Sequence, residues 1–159
     1  MNTTVFSARS AQDFLALLQD HGSCAAFLCD QPSLAYCQRN RLAQKYPALP
    51  QTILLPFRGS LTLEEADRCT LKAQAASIHF VLAAGSREVC NLGRIVAEWL
   101  DLPLFLMPSE PYDPQTPSAP VYDEYGAFSE TYEFEDTPVA VMTDFFPYET
   151  FCRAAGGCC

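Results

Sequence analysis

The sequence predicts an α/β domain with an open, mostly parallel sheet and helices on both faces. Three observations predict it. Apolar runs of strand length recur at residues 24–29, 52–57, 78–84 and 103–107. Segments with helical spacing of apolar residues alternate with them, and Gly or Pro marks the joints. Strands that alternate with helices must run parallel, because each helix carries the chain back to the starting edge, and the helices then cover both faces.

The elements follow in order. Ser10 is placed to cap a first helix, with Asp13 in its first turn and Phe14, Leu15, Leu17 and Leu18 as its apolar set. Gly22 stops it. The run 24–29 ends in Asp30 and reads as a buried strand. Pro32 and Ser33 open a second helix to about Tyr46, which Pro47 and Pro50 end. After the strand at 52–57, Gly59 and Ser60 make a turn, and Thr62-Leu63-Glu64-Glu65 reads as a capping box for a helix to about Ala76. The strand 78–84 passes through Gly85-Ser86 into a fourth helix carrying Val89, Leu92, Val96 and Trp99. Five prolines between Pro108 and Pro120 then predict a long irregular loop. Residues 121–125 and 129–134 around Gly126 suit a small hairpin. A strand at 139–142 ends in Asp144, and a short helix is expected at 147–155.

The 159 residues suit one domain over 1–159, with the hairpin inserted at about 120–136. Hydrophobic residues at 49% and charged residues at 18% supply a core and argue against disorder. No apolar run approaches the ~18–20 residues of a membrane-spanning helix, and the first residues have no apolar leader segment. The expectation is a cytoplasmic chain without a membrane partner. A net charge of −9 argues against a nucleic-acid partner. The eight cysteines read as reduced, small hydrophobes. None has C-x-x-C spacing, and His21 and His79 stand far from any cysteine pair, so no metal is expected in the isolated chain. The terminal Cys158-Cys159 would be a lipidation signal in small GTPases, but the phosphate-binding G-x-x-x-x-G-K-[ST] loop of those proteins is lacking, so it reads as a ragged end.

Ligands of open α/β sheets bind beyond the carboxyl ends of the strands, where strand order reverses. Three such ends stand out: Cys29-Asp30, Ala84-Gly85-Ser86 and Met107-Pro108-Ser109. The middle one places backbone N–H groups and the positive end of a helix dipole at one point, which suits a phosphate. The plain alternative is a tight turn in which Gly85 serves geometry and Ser86 is the N-cap. Asp30 suits a ribose hydroxyl pair or an exposed loop position. Asp144 and His79 read as a solvated strand end and a core-edge histidine. The aromatic residues between Tyr122 and Phe134 read as hairpin packing.

From about Phe80 to Gly156 the chain resembles the N-terminal, Rossmann-like domain of sn-glycerol-1-phosphate dehydrogenases, within the dehydroquinate synthase and iron-containing alcohol dehydrogenase group. The resemblance rests on Phe80-Val81-Leu82-Ala83-Ala84-Gly85-Ser86 for the glycine-rich turn and on Leu106-Met107-Pro108-Ser109 for a Pro-Thr motif. Val139-Ala140-Val141-Met142-Thr143-Asp144 and Ala155-Gly156-Gly157 carry the rest. It implies that Gly85 and Ser86 meet the pyrophosphate of NAD(P), that Asp30 lies near the adenine ribose, and that Ser109 contacts the cofactor. Departures from the pattern are plain. Two of three glycines are Ala83 and Ala84, whose methyls are expected to crowd the pyrophosphate. The Asp and Lys of the following helix are Val89 and Leu92. The Asp-Gly after the Pro-Thr motif is blurred into Tyr112-Asp113-Pro114. The Asp that begins the family's metal site falls at Cys159, and the helical metal-binding domain does not follow.

The resulting expectation is a truncated dehydrogenase-like nucleotide-binding domain without independent catalysis, binding NAD(P) weakly or serving as an interaction module. Self-association, or a partner protein over the face of the missing domain, is expected with it. Two alternatives stand beside it: one half of a split NAD(P)-dependent polyol-phosphate dehydrogenase, and a flavodoxin-like module for another ligand. A degenerate remnant with no selected role is a further reading.

Overall fold

A computed structural model describes residues 3–40 and 50–146. Strands are β1 (Thr4–Phe6), β2 (Cys24–Cys29), β3 (Gln51–Pro56), β4 (Phe80–Gly85), β5 (Leu104–Pro108), β6 (Ser118–Tyr122), β7 (Phe128–Glu133) and β8 (Ala140–Met142). Helices are α1 (Ala11–His21), α2 (Gln31–Arg39), α3 (Leu63–Gln74) and α4 (Arg87–Leu100). Six strands form one sheet in the order β1-β8-β5-β4-β2-β3, and every pairing in it is parallel. β6 and β7 form a separate antiparallel hairpin.

The strand side chains alternate between two cores, as the period of two requires. Val81 and Ala83 face a core shared with Ala66, Cys69 and Ala73 of α3 and Val89, Leu92 and Val96 of α4. Leu82 and Ala84 face the other, with Phe14, Leu15 and Leu18 of α1, and Tyr36 and Cys37 of α2 packed at its margin. In α1 the set Ala11, Phe14, Leu15 and Leu18 follows helical spacing and forms its buried stripe. Phe105 receives Phe14 and Phe80 edge-on at 6.2 and 5.3 Å between ring centroids, a geometry worth about 0.5–1.5 kcal/mol per pair beyond area burial.

On the other face α4 lies very close to β4. A Cβ built on Gly93 would come within 2.6 Å of the Ala83 Cβ, so the helix rests on the strand at the height that glycine allows. The hairpin covers this layer through Val121, with Tyr122, Tyr132 and Phe134 packed beside it. No helix among the described residues is long and apolar enough to cross a membrane.

Several local expectations shift. β1 is an added edge strand, paired with β8, in a segment too short and too exposed to show an apolar pattern. α2 starts at Gln31 with Asp30 as its N-cap and Pro32 in its first turn. Thr62 does accept from the Glu65 N–H at 3.0 Å, but the Glu65 carboxylate turns away to the Arg58 N–H and the Arg68 guanidinium, so only half of the capping box forms. The hairpin starts at Ser118, inside the proline-rich stretch, because Pro120 sits on its exposed side. The end of the second predicted helix and the helix expected at 147–155 lie outside the described residues.

Candidate functional site

The strand order reverses between β2 and β4. From β2 the chain moves outward to β3, then returns across β2 to β4. α2 packs on one face and α3 and α4 on the other, so a crevice opens between the carboxyl ends of β2 and β4. Asp30 ends one strand and Gly85-Ser86 the other, which is where open α/β sheets take their ligands.

The structure brings all four predicted residues together. The Asp30 Oδ2 accepts from the Ser86 N–H at 2.9 Å, and its Oδ1 accepts from the Ser33 N–H at 3.0 Å. One carboxylate therefore caps α2 and α4 at once, at the positive ends of both dipoles. The Ser86 hydroxyl makes no capping bond, so the cap expected of it does not form, and the Asp30 carboxylate takes the N–H of Ser86 itself. Gly85 has φ +144, a conformation that favours glycine, and a Cβ there would lie 2.7 Å from the Asp30 Cγ. Its carbonyl accepts from the Ser109 N–H at 2.7 Å and from the Cys90 thiol at 3.8 Å. Ser109 thus ties β5 to the turn through its backbone.

A further acid, which the sequence reading did not single out, completes the arrangement. The Glu110 Oε2 accepts from the Arg87 N–H at 3.0 Å, and Oε1 lies 3.7 Å from the Arg87 guanidinium. An acid directly after the last residues of β5 was the available signal, but nothing in the spacing said that it would fold over α4. A cleft of about 430 Å³ beside it is lined by Ser109, Glu110, Tyr112, Thr143, Asp144 and Phe146. Asp144 is exposed, with φ +59.

The other titratable groups near the turn are quiet. Burial pushes the Cys29 thiol up to about 12, helped by Cys37 and Asp30, and pushes the buried Cys90 thiol up as well. Both stay protonated at neutral pH and are poor nucleophiles. Burial also raises the Tyr112 hydroxyl to about 12, and it donates to the Asn91 Oδ1 at 2.7 Å. Both histidines lie at the far end of the sheet. The His79 Nδ1 faces the Ser23 and Cys24 N–H groups, and the His21 Nδ1 faces the Leu17 carbonyl. Among the described residues no three His, Cys, Asp or Glu side chains gather as a metal site.

The resemblance implies a cofactor pyrophosphate at this turn, and the residues do not fit one. The two alanines are not the obstacle expected of them. Ala83 and Ala84 are fully buried, with their methyls in the two opposite cores. The space that Gly85 leaves open holds the Asp30 carboxylate instead, and the first two N–H groups of the α4 end already serve acids.

These features define an open, parallel α/β domain of Rossmann-like build with its switch point at β2 and β4. No family model matches the chain, and no curated protein does. Solved structures do. A probable glycerol dehydrogenase from Sinorhizobium meliloti 1021 superposes with TM-score 0.72 at 20% identity, over 90% of this chain and 39% of its own. An iron-containing alcohol dehydrogenase from Thermotoga maritima gives 0.74 at 15% identity, over 91% and 46%. A 2-deoxy-scyllo-inosose synthase gives 0.68 at 15% identity, over 91% and 43%. The likeness is one of fold, and this chain spans less than half the length of each of these proteins. The Rossmann-like layout expected from the sequence is therefore the fold observed, and it is shared with these larger proteins.

Proposed function

We propose that the chain is a dehydrogenase-like domain of nucleotide-binding type that has no catalysis of its own and acts as an interaction module, with NAD(P) binding lost or very weak. One observation carries this reading: the leading N–H groups of α4 already donate to Asp30 and Glu110. A pyrophosphate would have to displace both acids or stand against them. Two like charges ~4 Å apart repel by about 4 kcal/mol at an effective dielectric of ~20, enough to weaken binding about a thousandfold. The net charge of −9 adds to this at longer range. The placement of both histidines away from the crevice supports the absence of an acid–base partner there.

The test is a calorimetric and thermal-shift titration with NAD+, NADH, NADP+ and NADPH, paired with sedimentation over a range of protein concentration. No saturable dinucleotide binding up to millimolar ligand, together with self-association, is the expected result. Micromolar binding of any of the four would sink the reading. A strict monomer that binds no hydrophobic dye would remove its interaction half.

A second reading is one half of a split NAD(P)-dependent polyol-phosphate dehydrogenase. The share of the matched dehydrogenases that this chain spans favours it. Dinucleotide binding that emerges only on adding a second polypeptide would decide for it.

A further inference from the structure

We infer that the Asp30 carboxylate is a built-in occupant of the anion position at the α4 turn, so that the turn is closed from within and opens to a diphosphate when that one carboxylate is removed. The inference rests on the reading above and deepens it, because it assigns the closure to a single side chain.

The geometry isolates Asp30. The backbone of the turn keeps the form an anion needs: Gly85 has positive φ, and no Cβ stands over the crevice from Ala83 or Ala84. What fills the space is the Asp30 side chain, close enough that a methyl on Gly85 would overlap its Cγ and Oδ2. Its two oxygens divide their work between Ser33 and Ser86, so it satisfies the starts of α2 and α4 in the way a bound phosphate oxygen would. Glu110 is more peripheral. It reaches only Arg87, its side chain is 38% exposed, and it can swing into solvent without leaving a buried group unpaired. Asp30 is therefore the gate and Glu110 an outer screen.

Asp30→Ser separates the two tasks of the residue. Serine is a good N-cap and can keep α2 satisfied, but it is too short to reach Ser86. Inorganic pyrophosphate is the probe, followed by thermal shift and by the amide resonances of Ser86 and Arg87. The native protein is expected to show no saturable response. Asp30→Ser is expected to melt a few degrees lower, to bind pyrophosphate at least about tenfold more tightly than the native chain, and to shift those two amides. Asp30→Asn keeps the shape without the charge and carries the test if the serine variant does not fold. It should gain part of the response. Glu110→Gln alone should gain little.

A folded Asp30 variant that stays silent to pyrophosphate would overturn the inference and leave the proposed function standing. A native chain that binds pyrophosphate as tightly as Asp30→Ser would overturn it too. Dinucleotide binding by the native chain is a separate outcome, which removes the proposed function itself.

Discussion

At its N-terminal end α4 meets carboxylates, and in its second half it meets carbonyls. Asp30 and Glu110 accept from the first N–H groups of the helix. Further along, the 3%-exposed Arg94 donates to the Thr116 carbonyl at 2.7 Å and the Asp136 carbonyl at 3.0 Å, with its guanidinium 3.7 Å above the Phe134 ring. The first set lies between the carboxyl ends of β2, β4 and β5. The second fastens the proline-rich loop and the exit of the hairpin onto the helix, away from the carboxyl ends of β2 and β4. Buried or half-buried charge therefore does two different jobs on one helix. At one end it meets the backbone N–H groups at the start of the helix. At the other it replaces a strand ladder that the loop cannot form.

That contrast can be broken most sharply at Arg94. Arg94→Ala removes two charge-assisted hydrogen bonds and the ring contact together, and should cost about 3 kcal/mol or more in urea unfolding. Hydrogen exchange in β6 and β7 should rise before exchange in the central strands. Arg94→Lys should recover little, since an ammonium cannot span both carbonyls. A loss under about 1 kcal/mol would mean that the hairpin holds itself.

Gly93 lies between the two ends and sets the height of both. Gly93→Ala should cost about 1–3 kcal/mol, because neither the strand nor the helix can give way cheaply at a 2.6 Å approach. The double variant Ala83→Gly with Gly93→Ala should recover part of that cost. Simple additivity of the two single changes would show that this contact does not set the helix height.

The smallest effect concerns Glu98, one turn beyond Arg94. Its Oε1 accepts from the Glu135 N–H at 2.6 Å, while its buried Oε2 has no hydrogen-bond partner. Burial raises its pKa, and the Glu135 and Asp136 N–H groups and Arg94 pull it back only in part. A carboxyl whose folded pKa is raised is most favourable below its unfolded value, and that contribution is lost as pH climbs through the folded value. Glu98→Gln should therefore be neutral or slightly stabilising at pH 7 and lose that advantage near pH 4, with changes within about 0.5 kcal/mol. A clear loss at pH 7 would mean that the charge itself binds the hairpin exit.

Much of the fold was legible because the signals were local. Apolar runs bounded by Gly and Pro gave β2 to β5 and β8, and helical spacing gave α1, α3 and α4. β1 was not legible. Val5 is 62% exposed, and the strand exists because the β8 edge offers it a partner, with the Thr4 N–H reaching the Val139 carbonyl at 3.1 Å. The start of β6 was hidden by prolines, which a hairpin edge tolerates and a central strand would not. At the site, Asp30, Gly85, Ser86 and Ser109 could each be picked out as strand-end residues. Glu110 also follows a strand end, but nothing in its spacing said that it would fold over the start of α4.

By itself the sequence determined the alternation of strands and helices and the glycine at the turn after β4. It also placed an acid at the end of β2. These follow from burial periodicity and backbone freedom, which act over a few residues. Only the tertiary structure decided that Asp30 would fill the space Gly85 leaves. That contact depends on β2 and β4 lying side by side in parallel, with their carboxyl ends level, although Asp30 and Ser86 stand far apart along the chain. The direction of the Ala83 and Ala84 methyls was likewise a matter of strand pleat and packing. Whether a helix N-terminus faces an incoming anion or an internal carboxylate is set by long-range register, which no local pattern encodes.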